Sequence, residues 1–274
     1  MDPRSSKIRA YGNAGPWVVV VHGGPGAPGS MAPVARELSD AFRVLEPWQR
    51  PSGGGPLTVA RHVEDLHAIV SSRCPEDRPA LVGHSWGAML VLAYAAAHPE
   101  SAGPLVLVGC GTFDPESRHR FRATLDARMD EHASDRLARL RGTVADPDER
   151  LRRTERLLLS FYSHDPIATE SGTSAVDARA CEETWADMLR LQAEGVYPAA
   201  FAAIRSPVLM LHGDADPHPG DMIRVSLAPY LPQLEYRRLE RCGHYPWLER
   251  VAREEFRTTL HAWLAKHLTE RPRS

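Results

Sequence analysis

The chain has 274 residues, 43 % of them hydrophobic and 25 % charged, with a formal net charge of −2. This suits one large domain or a domain carrying an insertion, and it excludes a binder held to nucleic acid by charge. No apolar run reaches membrane-span length, "MDPRSSKIRA" has no signal-peptide core, and Cys74, Cys110, Cys181 and Cys242 show no CxxC spacing, so a cytoplasmic protein with reduced thiols is expected.

Residues 7–11 read as an edge strand, and 17–21 as a buried strand running into His22, Gly23, Gly24, Pro25 and Gly26. A strand over 42–45 follows. Residues 58–72 then place Val59, Val63, Leu66 and Val70 on one face and Arg61, Glu64 and Asp65 on the other, an amphipathic helix. A strand over 80–83 leads to an uncharged, buried helix over 86–97, stopped at His98-Pro99. Further strands fall at 105–108, 208–211 and 234–239, and a last amphipathic helix at 251–268. The alternation predicts an α/β fold, a mostly parallel sheet flanked by helices. Residues 114–200 lack a strand pattern and are rich in Arg, Glu, Asp and Ala. They are expected as a helical cap inserted over the sheet's carboxyl edge, dividing a core of residues 1–113 and 201–274.

Gly83-His84-Ser85-Trp86-Gly87 fits G-x-S-x-G between a predicted strand and a predicted helix. Such a turn lifts a serine hydroxyl out of the sheet, and the glycines permit close backbone approach. Attack by that serine on a carbonyl creates an oxyanion, which needs preorganised N–H donors. The backbone N–H of Trp86 supplies one. The glycine-rich stretch after the strand over 17–21 supplies the other, at Gly24. His22, before those glycines, reads as a loop-packing residue.

A base and an orienting acid should follow in the order Ser, acid, His. "VLMLHGDADPHP" offers Asp216 with Asp214 as its competitor, "GTFDP" offers Asp114, and "RRLERCGHYPWLE" offers His244. Ser85, Asp216 and His244 are the expected set. The run His212 to His218 lacks helical metal-ligand spacing and is stiffened by two prolines, and Pro219 and Val225 break the calcium-loop pattern, so no metal or cofactor is expected. Cys110 and Cys242 read as buried small hydrophobes, and His62, His67, His98 and His261 as helix-surface residues.

"HGGPG", "GHSWG", "HGDADP" and "CGHYPWLE" resemble the α/β-hydrolase superfamily, and within it the proline iminopeptidase-like branch. The resemblance covers about residues 7–113 and 204–268. It implies a serine hydrolase acting through an acyl-enzyme on aminoacyl amides, without a cofactor. It departs at Trp48-Gln49-Arg50-Pro51, where the branch carries Asp-Gln-Arg-Gly. It departs again at "ARACEETWADML" in the cap, where Trp-x-x-Trp-Glu is usual. In that stretch Glu182 and Glu183 stand for the carboxylates that would hold a substrate amine, and Trp185 for an apolar wall. The expected partner is a small ester or amide, with neither nucleic acid nor membrane. A carboxylesterase or lactonase is the alternative, and a non-catalytic small-molecule receptor on the same fold is the third reading.

Overall fold

A computed structural model describes residues 7–75, 77–167 and 176–269. Short stretches of both expected core segments and of the expected cap lie outside the described residues. The order is β1 (Ile8–Tyr11), β2 (Trp17–Val21), α1 (Ala32–Leu38), β3 (Arg43–Pro47), α2 (Val59–Arg73), β4 (Ala80–His84), α3 (Trp86–Ala97) and β5 (Leu105–Val108). Then come α4 (Pro115–Arg128), α5 (Glu131–Thr143), α6 (Pro147–Tyr162) and α7 (Ala178–Ala193). The chain ends with β6 (Val208–Gly213), α8 (Gly220–Leu227), β7 (Leu234–Leu239) and α9 (Arg253–Thr269).

The strands form one sheet in the order β1-β3-β2-β4-β5-β6-β7. β1 runs antiparallel to β3, and the other pairings are parallel. Parallel central strands are covered on both faces, which is why their sequences are unbroken apolar runs. Alternate residues go to opposite cores. Val19, Val21, Leu81, Leu105 and Met210 pack with α2, α3 and α8. Val18, Val20, Val82, Val106 and Leu211 pack with α1 and α9. The uncharged α3 is buried from Trp86 through Ala95.

Between β5 and β6, α4 to α7 pack on one another, and no named strand occurs there among the described residues. Met188 of α7 reaches the core on the α3 face. No helix among the described residues is long and apolar enough to cross a membrane.

Several boundaries differ from the sequence reading. β3 starts after Phe42, which is buried beneath the α1–α9 layer as the chain enters the strand. β4 and β6 extend to His84 and Gly213, because polar residues at parallel strand ends still pair with their neighbours. The helices α1 and α8 go unread because each is short and begins in a glycine- and proline-rich loop.

His62 is not a surface residue. α7 covers that face of α2, leaving His62 2 % exposed with its Nε2 at 3.0 Å from Thr184 Oγ1. Burial lowers His62 from 6.5 to about 4. The same cause lowers His22, at the end of β2, to about 4.

A histidine whose folded pKa is depressed adds stability above its unfolded pKa and loses it as pH falls toward the folded value. Unfolding free energy should therefore drop by about 2 kcal/mol for each of these two groups between pH 7.5 and 5. Urea denaturation at the two pH values measures the drop. His62→Gln, which cannot titrate, should show a smaller one.

Candidate active site

Ser85 sits between β4 and α3 with φ +54° and ψ −118°. A non-glycine residue there is strained and needs surrounding structure to hold it. Its N–H donates to Val108 O at 2.8 Å, tying the turn to β5. The flanking glycines are required by contact. A Cβ on Gly83 would lie 2.3 Å from Gly87 O, and one on Gly87 would lie 2.2 Å from Val21 O. The start of α3 thus rests on the backbone ends of β2 and β4, and the serine is lifted to their carboxyl edge.

The loop after β2 lies beside this turn. A Cβ on Gly23 would be 3.1 Å from Ser85 Cβ. Gly24 takes φ +112°, a left-handed conformation that favours glycine. His22 is fully buried and ties the loop inward: its Nε2 accepts from Gln49 N–H at 3.1 Å, and its Nδ1–H donates to Gly23 O at 2.9 Å. Gln49 donates its side-chain amide to His22 O at 2.9 Å and accepts the Trp86 indole N–H at 3.0 Å. One glutamine therefore braces both expected oxyanion elements. It lies within the Trp48-Gln49-Arg50-Pro51 stretch, where that role was not read.

His244 and Asp216 meet beside Gly109, just after β5. The His244 Nδ1–H donates to Asp216 Oδ2 at 2.7 Å, with both residues buried. Burial, helped by His218 and His212, lowers the His244 pKa despite the neighbouring carboxylate, so the imidazole stays neutral with Nε2 unprotonated. Burial alone would raise the Asp216 carboxyl, but His244, His212 and His218 outweigh it and hold it well below its usual range. The His244 ring lies against Gly109, where an added Cβ would be 3.0 Å from Nδ1. His84, buried and held well below its usual pKa by burial, donates Nε2–H to His244 O at 3.0 Å.

The loop carrying His244 is fixed by two partners. His244 N–H donates to Tyr162 O at 2.7 Å. Glu249, fully buried, accepts the backbone N–H groups of Gly243, His164 and Asp165 at 2.8, 2.8 and 2.7 Å. Sequence reasoning missed that role, although Glu249 closes the quoted "CGHYPWLE". Asp216, His218 and His244 also bring ligand-type atoms within 4.8 Å of one another, but both Asp216 oxygens already accept hydrogen bonds.

The competing acids have other tasks. Asp114 caps α4, accepting from Ser117 N–H at 2.8 Å and from its hydroxyl at 2.6 Å. Asp214 is exposed and accepts from Cys242 N–H at 3.1 Å. Cys110 and Cys242 are buried, and burial raises both thiols.

Of Glu182, Glu183 and Trp185, Trp185 alone reaches this region. Its indole donates to Gly24 O at 3.2 Å, and its ring meets Trp86 edge-on at 5.7 Å. Glu182 is exposed. Glu183 uses Oε2 to accept Leu57 N–H at 2.8 Å and Oε1 to accept Arg179 at 2.7 Å. The amine-holding role expected of Glu182 and Glu183 draws no support from these positions. One carboxylate faces solvent, and the other satisfies loop backbone.

A sequence model described as "Alpha/beta hydrolase family" matches residues 18–256. The protein is a hydrolase of the alpha/beta hydrolase family. Over 249 residues the chain is 28 % identical to a pimeloyl-[acyl-carrier protein] methyl ester esterase of Aromatoleum aromaticum, covering 85 % of this chain and 92 % of that one. It is 25 % identical to a proline iminopeptidase of Lactobacillus helveticus over 280 aligned residues, 92 % and 90 % of the two chains. Another match is partial: the chain spans 33 % of a cis-3-alkyl-4-alkyloxetan-2-one decarboxylase of Shewanella oneidensis, at 30 % identity over 104 residues, 35 % of this chain. Among solved structures, a thermophilic esterase of Thermogutta terrifontis superposes with a TM-score of 0.65 at 22 % identity, over 96 % of this chain and 94 % of that one. These likenesses carry the α/β-hydrolase superfamily. The iminopeptidase likeness stands beside an esterase likeness of similar strength.

In this family member the elbow glycines leave no room for a methyl group. Gly87→Ala should destabilise by about 1–3 kcal/mol or more through overpacking against backbone. Thermal unfolding followed by circular dichroism should show a melting temperature lower by about 5 °C. Gly142→Ala, in open space on α5, should leave it unchanged or higher.

Proposed function

We propose that the protein is a serine hydrolase of small esters or amides, with Ser85 as nucleophile, His244 as base and Asp216 as orienting acid. The observation that carries the reading is the 2.7 Å bond from His244 Nδ1–H to buried Asp216, at the edge where Ser85 leaves the sheet. That bond leaves His244 Nε2 free to take the Ser85 proton as Oγ attacks the carbonyl carbon. The tetrahedral oxyanion is received by the N–H groups of Trp86 and Gly24. Its collapse expels the leaving group, which takes the proton from His244, and water then releases the acyl group by the reverse sequence.

Residues 114–200 act as the cap, and Trp185 forms an apolar wall above the oxyanion loop. Ester hydrolysis is the favoured chemistry. An ammonium held under the cap needs a carboxylate partner, whereas Glu182 is exposed to solvent and Glu183 is already engaged by Leu57 N–H and Arg179.

Ser85→Ala should abolish turnover of a short-chain aryl ester to within the residual rate left by binding alone. Asp216→Asn should lower kcat by about 10³–10⁴-fold, because the imidazole loses its enforced tautomer. Asp214→Asn should stay within about threefold, as an exposed surface change. Steady-state assays on the ester and on a prolyl arylamide separate the substrate classes. Greater kcat/KM on the arylamide overturns the ester preference. Undiminished ester turnover by Ser85→Ala overturns the nucleophile assignment.

A further inference from the structure

Asp216 is enclosed by three imidazoles rather than one. His244 takes Oδ2, and His212 Nε2 lies 3.3 Å from the same oxygen while donating to His218 O at 3.0 Å. His218 takes Oδ1 twice, through its backbone N–H at 2.9 Å and its Nδ1–H at 3.0 Å. Its ring also stacks on His244, with centroids 4.6 Å apart and planes 23° apart. On its other side it stacks on Phe121 of α4, at 4.2 Å and 14°. The result is a three-ring column, Phe121–His218–His244, running from the inserted helices to the base. Nothing in the proposed chemistry above uses His218.

We propose that His218 is a positioning residue for the Asp216–His244 pair. Its two N–H groups pin Asp216 Oδ1, and its ring, backed by Phe121, sets the plane of His244. The proposal rests on the reading of Ser85, His244 and Asp216 as the reacting set. A carboxylate free to rotate about its Cβ–Cγ bond can present either oxygen to His244. With Oδ1 doubly held, Oδ2 stays in line with Nδ1, and Nε2 stays aimed where a proton must be collected. Small losses of aim at a reacting atom are costly.

The arrangement also has an electrostatic consequence. The donors on Oδ1 withdraw part of the charge that would otherwise stabilise a His244 imidazolium. His218 therefore keeps His244 unprotonated, and so competent as a base, to lower pH than Asp216 alone would allow. The other groups facing His218 are fixed across its variants. They are His212, Tyr162 from α6 at 5.9 Å, and Arg120, Arg128, Asp214, Asp221, Tyr236 and Arg238 around a cavity of about 300 Å³ that His218 also lines, while His84 and Tyr245 face His244.

Two substitutions separate the two functions. His218→Phe keeps a stacked ring and removes the side-chain donor. His218→Asn keeps a donor at the place of Nδ1 and removes the ring. The readout is the rate at which a fluorophosphonate phosphorylates Ser85, followed against pH and located by peptide mass. Phosphorus gains the Ser85 oxygen, fluoride leaves, and His244 accepts the proton, so the acid limb reports the His244 pKa without any assumed substrate.

In His218→Phe the plateau rate should fall about tenfold, and the acid limb should move to higher pH by about half a unit or more. In His218→Asn the plateau should fall while the limb stays in place. A His218→Phe profile that matches wild type in rate and limb overturns the proposal, as does an equal upward shift in both variants. Label on Ser85 in every protein with unchanged profiles defeats the His218 proposal alone. Absence of label on Ser85 in the wild type defeats the reading of the site, and the proposal with it.

Discussion

The site depends on how closely the first turn of α3 approaches the ends of β2 and β4. Gly87 faces Val21 O, and Gly83 faces Gly87 O, at distances that no Cβ could share. With α3 seated there, residue 85 must turn through a left-handed conformation. That turn takes the chain from a buried strand into a buried helix in one residue. The serine is lifted to the edge by this packing, and the strain at φ +54° is held by the uncharged, fully packed helix behind it. The glycine-rich loop after β2 follows from the same constraint, since Gly23 must pass within contact of Ser85 Cβ.

Around this turn lies an unusual density of buried polar groups, each kept in one protonation state by its neighbours. His22, His84 and His244 are lowered by burial and stay neutral, while Asp216 stays ionised because donors converge on it. Neutral imidazoles offer one donor and one acceptor, so they can link backbone carbonyls to side chains without adding charge. His22 links the β2 loop to Gln49 in this way, and His84 ties β4 to the His244 loop through its Nε2–H. Glu249 does the corresponding work for three backbone N–H groups.

Much of this was legible in the sequence, for identifiable reasons. Unbroken valine and leucine runs marked the parallel strands, because burial on both faces leaves no polar alternation to blur them. G-x-S-x-G was informative because its glycines answer a steric need that no other residue meets. The bracing residues were not legible. Gln49, Glu249 and His218 are ordinary polar residues in loops or at strand ends; apart from the local His218–Asp216 bonds, the partners they brace are set by the fold. His62 was misread because α7, which buries it, lies more than a hundred residues away along the chain.

The carboxylates of and beside α7 show why composition could not settle their role. Asp177, Glu183 and Asp187 each offer one oxygen to a backbone N–H of the 52–59 segment, at Ser52, Leu57 and Val59. Each has its second oxygen engaged within or beside α7, by Ala180 N–H, Arg179 and Arg190. The segment "SGGGPLT" forms no strand or helix of its own, so its N–H groups need acceptors from elsewhere. Val59 is the first residue of α2, where an orphan donor and the helix dipole both favour an anion. An acidic row on α7 thus meets a donor row on the loop, and this fastens the inserted helices beside the Gly24 loop that Trp185 also touches. The same carboxylates would read identically in sequence as ligands for an ammonium. What distinguishes the two is which N–H groups the rest of the fold leaves unpaired.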